Sequence, residues 1–330
     1  MGDVAMMVPV VHSLAVQHPE ISVSVLTRAR FEPLFGWMPK NVNVVGIDPS
    51  EFKGIAGLNR LYKMLKADKY DAVADFHDVL RSKFVRWRFR MAGVVVEAIR
   101  KNRKARKALI GHGMDAQPLK PVTVRYKEVL QRLGIDIQLD FEHIDTSNDD
   151  FTTVNAVFGK KAEGERWIGV APFAAHESKI YPLDKMKTVV EALAAKGCRV
   201  FLFGAGKHES QILAEWEKTS EMVSVCGKLK GIHEEMLLMS RLDAMLAMDS
   251  ANMHLAALVG IPVFSIWMAT HPKAGFTPWR QPEQNIIQLD DLPCRPCSVY
   301  GSKPCQFGDF RCNNINPSTI SVFIFKHLHS

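Results

Sequence analysis

Short apolar runs alternate with helical stretches along almost the whole chain of 330 residues. Such alternation favours parallel sheets, because each helix carries the chain back to begin the next strand in the same direction. The predicted strands are residues 21–27, 42–47, 72–76, 94–99, 167–172, 199–203, 244–248 and 263–267. The predicted helices are residues 9–17, 58–67, 79–91, 122–133, 183–196, 209–218, 234–241 and 252–259. The pattern predicts an α/β fold with helices on both faces of parallel sheets.

The alternation is interrupted once, by a polar and weakly periodic segment over residues 145–165. A segment of this kind is typical of a linker, so we expect two doubly wound domains, residues 1–160 and residues 161–330. Ligands of doubly wound sheets bind at the carboxyl ends of the strands. We therefore expect the chemistry in a cleft where two sets of strand ends face each other.

The composition is that of a folded soluble protein, with 47% hydrophobic and 23% charged residues. No apolar run reaches the roughly 18 residues that suggest a membrane-spanning helix. The N-terminus also lacks the basic flank and apolar block of a secretory signal. The chain is therefore expected in the cytoplasm, with Cys198 and Cys226 buried in strand-like surroundings as small core residues.

The net charge of +7 is concentrated in one segment. Residues 81–107 contain eleven Lys or Arg and one Glu, a local charge of +10, which leaves −3 for the rest of the chain. This distribution favours a localised anionic partner, such as a phosphorylated substrate or an anionic membrane surface. Nucleic acid is not expected, because no motif of interleaved aromatic and basic residues accompanies the patch.

Two parts of this basic segment differ in pattern. The predicted helix 79–91 carries one apolar stripe and a separate cationic face, formed by Leu80, Phe84, Trp87 and Met91 and by Lys83, Arg86 and Arg90. Either the helix packs on the sheet with a solvated face, or it contacts acidic sugars and an anionic membrane. Residues 100–107 add six cations in eight residues, which favours an acceptor with phosphate or acidic sugar groups.

The segment with the most specific pattern begins where the predicted strand 244–248 ends. Asp249 and Ser250 follow that strand, and His254 falls in the first turn of the next helix. The N-terminus of a helix presents unpaired N–H groups and a partial positive charge, so it suits a phosphate. Asp249 alone could equally be an N-cap. An imidazole at this end of a helix, beside an aspartate, indicates phosphate contact or proton sharing.

The block DSANMHLAALVGIP, residues 249–262, and the THP that follows at 270–272 resemble the hallmark of glycosyltransferase family 9, the ADP-heptose:lipopolysaccharide heptosyltransferases. The resemblance extends over nearly the whole chain. It implies the GT-B architecture of two facing Rossmann-like domains, with acceptor binding by residues 1–160 and nucleotide-sugar binding by 161–330. In this family the last helix, about residues 317–328 here, could pack back on the N-terminal domain.

The resemblance also implies an apolar strand directly before Gly2 and Asp3. The first strand of the N-terminal domain is therefore missing from this sequence, and we expect Met1 to be an internal methionine of a longer chain. The family's glycine–aspartate motif carries its catalytic base, and Asp3 matches that base. Loss of a central strand would expose neighbouring strands and core to water.

The family's donor site is carried over to ten positions. Lys179 matches a phosphate-contacting lysine, with Tyr181 in place of the usual Trp. Glu209 matches the acidic residue that holds the donor ribose. The adenine pocket corresponds to Leu229 and Lys230, and the diphosphate site to Asp249, Ser250, Ala251, Asn252, Met253 and His254. The family usually has Gly at position 251, so Ala251 is a departure that a left-handed backbone would make costly.

The acceptor side corresponds to the family's D-x-H-x-x-x-R-S element, which supplies His77 and Arg81. Arg100 and Arg103 of the basic segment are the other expected acceptor-binding residues. The implied activity is inverting, metal-independent transfer of a heptose or related sugar from an ADP-sugar to a lipopolysaccharide core or lipid A acceptor. The enzyme would work in the cytoplasm, at the anionic inner face of the inner membrane.

Two alternatives stay open at this point. The chain could be a GT-B enzyme that uses another nucleotide sugar. Only Glu209 and the surroundings of Leu229 would distinguish an ADP-sugar from a sugar that carries another nucleotide. It could also be a non-catalytic protein that binds nucleotides or membrane surfaces, if the N-terminal domain is truly truncated.

Four further cysteines follow the second domain's last predicted strand with the spacing C-x2-C-x7-C-x6-C, at Cys294, Cys297, Cys305 and Cys312. Thiolates at the first spacing suit zinc or an iron–sulfur cluster, whereas the second pair lacks the short spacing of a zinc ribbon. The resemblance implies transfer chemistry that requires no cofactor, so any zinc or iron–sulfur cluster at these cysteines would have a structural role. None of the four cysteines is assigned as a metal ligand.

Overall fold

The computed structural model describes residues 1–112, 116–218 and 222–328. The strands are β1 (Val23–Arg28), β2 (Val42–Ile47), β3 (Ala72–Asp75), β4 (Val95–Ala98), β5 (Arg166–Ala171), β6 (Cys198–Leu202), β7 (Met222–Ser224), β8 (Ala244–Met248), β9 (Val263–Ile266) and β10 (Ile286–Ile287). The α-helices are α1 (Gly2–Ala5), α2 (Val8–Gln17), α3 (Gly54–Lys66), α4 (Leu80–Met91), α5 (Arg103–His112), α6 (Val122–Arg132), α7 (Thr152–Phe158), α8 (Leu183–Ala194), α9 (Gly206–Glu217), α10 (Ile232–Met239), α11 (Ala251–Leu258) and α12 (Pro317–His327). The predicted α/β class is confirmed.

The chain divides into two compact units. The first contains Met1, residues 3–102 and residues 120–141, and the second contains Gly2, residues 103–119 and the chain from residue 142 onward. The second unit therefore takes in residues 142–160, which precede the predicted domain boundary. Its α7 lies inside the segment predicted as a linker, because Val154 and Phe158 form one buried helical face. The ring of Phe158 packs edge-on against Phe201 of β6.

The second unit is built on one parallel sheet with the strand order β10-β9-β8-β5-β6-β7. Val170 of β5 pairs with Leu202 of β6 on one side and with Leu246 of β8 on the other. The strand order reverses between β5 and β8, which makes their carboxyl ends the topological switch point where doubly wound sheets bind ligands. The apolar residues of both strands are fully buried, so this edge of the sheet is firmly held.

The last helix, α12, also belongs to the second unit. Ile320 and Ile324 lie in that unit's core, and α12 packs along α8. That this helix also packs back on the N-terminal domain stays a prediction. Among the described residues, no helix is both long and apolar enough to cross a membrane.

The first unit has two separate parallel pairs, β1 with β2 and β3 with β4. Asp75 at the end of β3 is in register with Ala98 at the end of β4. The loops that follow these two strands therefore leave the same edge of the pair. On one face, α3 and α4 pack together through a core that includes an edge-on contact between the rings of Tyr62 and Phe89.

Helix α4 uses a different face from the one that its most regular apolar stripe indicates. Val85 and Phe89 are buried against the unit, whereas the stripe of Leu80, Phe84, Trp87 and Met91 faces away from it. The helix therefore packs on β3 and β4 with a solvated face, as one of the two interpretations predicted, but it packs through Val85 and Phe89 and not through this stripe. The packed face needs only Val85 and Phe89, which are spaced i, i+4. The exposed stripe contains the same spacing, so the sequence pattern alone does not show which face is buried.

Candidate functional site

Three polar side chains meet at the switch point of the second unit. Asp249 directly follows β8, and its Oδ2 accepts hydrogen bonds from Lys179 Nζ at 2.8 Å and from Thr270 Oγ1 at 2.7 Å. Lys179 lies in the loop after β5, and the side chains of Lys179 and Asp249 are only 13% and 8% exposed. The lysine ammonium is thereby fixed at the edge of the sheet, in a place with little water. Thr270 is a participant that sequence reasoning did not assign, although it belongs to the THP segment.

The stem of Lys179 is held from the other side by the cysteine-containing tail. Ser178 Oγ donates a hydrogen bond of 2.6 Å to the carbonyl oxygen of Gly301. A Cβ atom built on Gly301 would lie 2.5 Å from Cγ of Lys179, so only glycine fits beside the stem. The tail therefore helps to set the position of the lysine.

The N-terminus of α11 lies beside this cluster. Ser250 occupies the N-cap in an extended conformation, but its hydroxyl makes no capping hydrogen bond. Its Oγ is buried and has no hydrogen-bond partner among the described residues. Asp249 is not the N-cap, because its carboxylate binds Lys179 and Thr270 instead. A helix N-terminus with an unused hydroxyl and an adjacent ammonium is an arrangement that suits an anion.

The first turn of α11 contains the remaining predicted diphosphate residues. Ala251 begins the helix with a helical backbone rather than a left-handed one, so its Cβ causes no strain there. Asn252 is half-buried, whereas Met253 and His254 are buried. The side chain of Met253 belongs to the core, so only its backbone N–H is suited to ligand contact.

His271 is a second buried imidazole near the switch point, and it was not among the predicted site residues. Its Nδ1 accepts a hydrogen bond of 3.0 Å from the N–H of Lys273, so the ring proton of the neutral form is on Nε2. That Nε2 is buried and has no hydrogen-bond partner among the described residues. Burial, followed by the charges of Arg295 and Lys273, lowers the pKa of His271 to about 4. The ring is therefore neutral at physiological pH.

The predicted ribose and adenine contacts lie along β6, β7 and the turns that follow. Glu209 Oε2 accepts a hydrogen bond of 2.7 Å from the N–H of Ala205, which fixes the turn before α9. Leu229 is half-buried and Lys230 is exposed, and the N–H of Lys230 donates to Glu234 Oε2 at the start of α10. Both turns are thus held by a glutamate of the helix that follows.

In the first unit, the predicted acceptor residue His77 lies on a tightly braced loop after β3. Asp75 Oδ1 accepts hydrogen bonds of 2.9 Å from the N–H groups of His77 and Asp78. Arg86 bridges the carboxylates of Asp75 and Asp78 at 3.1 and 3.2 Å, and Lys101 Nζ donates to the carbonyl oxygen of Asp78 at 2.7 Å. The loop after β4 is therefore joined to the loop after β3, and His77 is exposed.

Asp3 lies in the same unit, exposed on α1. The hydroxyl of Tyr126 donates to the carbonyl oxygen of Asp3 at 3.4 Å, and the Tyr126 ring stacks on Phe76 with centroids 4.5 Å apart. Because Phe76 immediately precedes His77, one aromatic pair links the predicted base to the predicted acceptor loop. The sequence pattern places Tyr126 in the predicted helix 122–133 and does not indicate its contact with Asp3.

The other predicted acceptor residues are exposed cations. Arg81 is in the first turn of α4, and Arg100 follows β4 at the edge where His77 lies. Arg103 begins α5, which belongs to the second unit.

The tail that carries the four cysteines also contains a buried arginine. The Arg295 guanidinium is 1% exposed and donates to the carbonyl oxygens of Leu289, Trp267 and Thr270. Burial raises the pKa of Cys312 to about 11. Within residues 1–112, 116–218 and 222–328, no three His, Cys, Asp or Glu side chains are placed to hold a metal ion. A structural metal held by Cys294, Cys297, Cys305 and Cys312 stays a hypothesis.

Comparison with known proteins gives concordant matches. The family model for glycosyltransferase family 9 (heptosyltransferase) matches residues 58–306. Lipopolysaccharide heptosyltransferase 3 of Escherichia coli is 25% identical over 307 residues, covering 87% of this chain and 85% of that protein.

Solved structures agree in fold. A glycosyltransferase family 9 protein from Veillonella parvula superposes with a TM-score of 0.78 at 17% identity, covering 99% of this chain and 94% of that one. The ADP-heptose lipopolysaccharide heptosyltransferase II of E. coli gives a TM-score of 0.70 at 19% identity, covering 98% and 95%. These likenesses confirm the predicted GT-B fold.

Proposed function

Because the chain belongs to glycosyltransferase family 9, we propose that it transfers a heptose, or a related sugar, from an ADP-sugar to an acceptor in the lipopolysaccharide core. The observation that carries the proposal is the cluster at the switch point of the second unit. Lys179, the free hydroxyl of Ser250 and the first turn of α11 together offer an ammonium, a hydroxyl and unpaired N–H groups to one anion.

In the proposed mechanism these groups stabilise the departing ADP. Charge develops on the diphosphate as the bond to the sugar breaks, and donors that are already oriented lower the barrier without reorganising. Lys179, His254 and the N–H groups of Asn252 and Met253 bind the diphosphate. Asp249 holds Lys179 in place through the 2.8 Å ion pair. Glu209 is the proposed ribose ligand, and Leu229 and Lys230 form the adenine side.

Asp3 is the proposed general base that takes the proton from the acceptor hydroxyl. Attack from the face opposite the nucleotide inverts the anomeric centre. His77, Arg81, Arg100 and Arg103 are the proposed acceptor-binding residues. The mechanism needs no cofactor, and no step passes through the tail cysteines. The reaction would take place in the cytoplasm, where an ADP-sugar is available.

The test is transfer from ADP-heptose to a delipidated core oligosaccharide, followed by mass spectrometry of the product. The Asp3→Asn variant should lose turnover by about a hundredfold to ten-thousandfold, because a general base contributes that much. Its affinity for ADP in calorimetry should stay within about twofold, since Asp3 is assigned no donor contact. Asp71→Asn, at another exposed aspartate of the first unit, is the matched control and should keep full turnover.

Retained turnover in Asp3→Asn would show that this residue is not the base. A parallel thermal-shift comparison of ADP, UDP and GDP identifies the nucleotide. Stabilisation by UDP or GDP rather than ADP would replace the proposed donor with another nucleotide sugar.

A further inference from the structure

Helix α4 exposes an ordered apolar stripe. Leu80 is 87% exposed, Trp87 53% and Met91 71%, and Phe84 between them is half-buried. At about 100° per residue these four side chains fall within an arc of roughly 60°. Single exposed apolar residues are common, but four in one line over three helical turns are typical of an interaction surface.

Cations border this stripe on both sides. Arg81 and Arg88 lie to one side of it on the helical wheel, and Lys83 and Arg90 lie to the other. Arg86 is not part of the border, because it bridges Asp75 and Asp78 on the side of the helix nearer the unit and is only 19% exposed. Lys83 also lies 3.7 Å from Asp78, but 43% of its side chain remains exposed. Helix α4 contains no acidic residue. An apolar line between two cationic rows is the pattern of a helix that lies in a membrane interface.

We propose that α4 docks the protein on an anionic lipid bilayer, with Leu80, Phe84, Trp87 and Met91 among the acyl chains and the flanking cations at the headgroups. The indole of Trp87 is suited to this depth, since aromatic rings concentrate at the boundary between acyl chains and water. The long cationic side chains can extend their charges back to lipid phosphates while their stems cover the apolar line.

A second copy of the chain fits this surface poorly. A two-fold contact through α4 would bring four cations of each copy together without an acidic residue on the helix to neutralise them. The centre of a protein interface is also depleted in charged residues, whereas every apolar residue of this stripe has a cation within one helical turn.

This docking rests on the proposed function, because it would bring the enzyme to an acceptor that is anchored in the membrane. Helix α4 begins two residues after Asp78, on the loop that carries His77. A bilayer in contact with the start of α4 therefore meets the proposed acceptor loop, which is where an acceptor anchored in lipid would be presented.

The test is sedimentation of the full chain with vesicles. The wild type should bind vesicles made of equal parts phosphatidylglycerol and phosphatidylcholine, and should bind pure phosphatidylcholine at least about tenfold more weakly. The double variant Trp87→Gln, Met91→Gln should lose at least about tenfold in affinity for the mixed vesicles, because two large apolar groups no longer enter the bilayer. Val16→Gln, at a residue 51% exposed on α2 of the same unit, is the control and should bind normally.

Fluorescence locates the contact. Vesicle binding should shift the emission of the wild type to shorter wavelength, and Trp87→Phe should bind equally without that shift. Unchanged vesicle binding by the double variant would overturn the proposal. So would a concentration-dependent dimer in the wild type that the double variant lacks, because the stripe would then be a protein interface.

The experiments distinguish failure of the docking proposal from failure of the proposed sugar transfer. Vesicle binding needs no turnover, and turnover with a soluble acceptor needs no vesicle. The double variant should keep its thermal stability and its turnover with the delipidated acceptor, since both side chains are exposed.

Discussion

At the scale of single residues, Lys179 and Asp249 depend on each other. Both side chains are largely removed from water, and each satisfies the charge of the other across 2.8 Å. A buried ion pair of this kind adds little net stability, but removal of one partner leaves the other charge unpaired at considerable cost. The pair therefore has a structural role beside the proposed role of Lys179 in binding ADP, and substitution of Lys179 alone would not separate the two.

A pair of variants separates these roles. Lys179→Met should lower the free energy of unfolding by about 3 kcal/mol, because the Asp249 carboxylate loses its counter-charge. Adding Asp249→Asn should restore most of that stability, since the asparagine can still accept the hydrogen bond from Thr270. Affinity for ADP should stay low in both variants, as the ammonium is absent from both. Urea unfolding and calorimetry measure the two quantities, and recovery of ADP binding in the double variant would contradict the assignment of Lys179.

At the scale of elements, two helix N-termini can be compared within the second unit. Asn316 caps α12 in the usual way, with its Oδ1 accepting a hydrogen bond of 2.9 Å from the N–H of Ser318. Ser250 stands at the equivalent position of α11 but does not cap it. Asn316 and Ser250 are thus both polar N-cap residues, but only Asn316 makes the capping hydrogen bond.

Alanine should distinguish the two positions. Asn316→Ala should cost about 1 kcal/mol of stability, the ordinary value of an N-cap, and leave ADP affinity unchanged. Ser250→Ala should cost less than about 0.5 kcal/mol and weaken ADP binding by about fivefold to tenfold, because a neutral hydrogen bond to the ligand is lost. Equal stability losses at both positions would mean that Ser250 caps α11 in solution.

The elements also show how far sequence patterns reach. The bounds of β2 and β8 agree with prediction because each is a continuous apolar run between polar neighbours. The strands β7 and β10 were missed because three and two residues give no usable period. The block at residues 249–254 was assigned to the candidate site from its motif. The ion pair of Asp249 with Lys179 was not predicted, since it joins loops seventy residues apart in sequence.

At the scale of the whole molecule, His271 couples folding to pH. Its pKa is about 4 in the folded protein because of burial and the charges of Arg295 and Lys273, against 6.5 for an ordinary histidine. The unfolded chain therefore binds the extra proton between these values. The contribution of the neutral ring to stability is complete above pH 6.5 and is lost as the pH falls towards 4.

Substitution of His271 by asparagine should remove this pH dependence. The amide oxygen can replace Nδ1 as acceptor for the N–H of Lys273, so the local hydrogen bond is kept. The difference in unfolding free energy between wild type and His271→Asn should shift by about 3 kcal/mol, to the disadvantage of the wild type, between pH 7.5 and pH 4. Urea unfolding across this range measures it. A difference that does not vary with pH would show that His271 is accessible to protons in the folded state.

Docking of the exposed stripe of α4 on a bilayer, as proposed above, would also determine how the two proposed substrates are found. A protein held by this helix moves laterally in a plane, so it searches for a lipid-anchored acceptor in two dimensions, whereas a nucleotide sugar arrives from the solution in three. The rate of encounter with the acceptor then depends on its surface density rather than on its bulk concentration. Dilution of the acceptor among inert lipids should slow the enzyme even when the total amount of acceptor in the sample is constant.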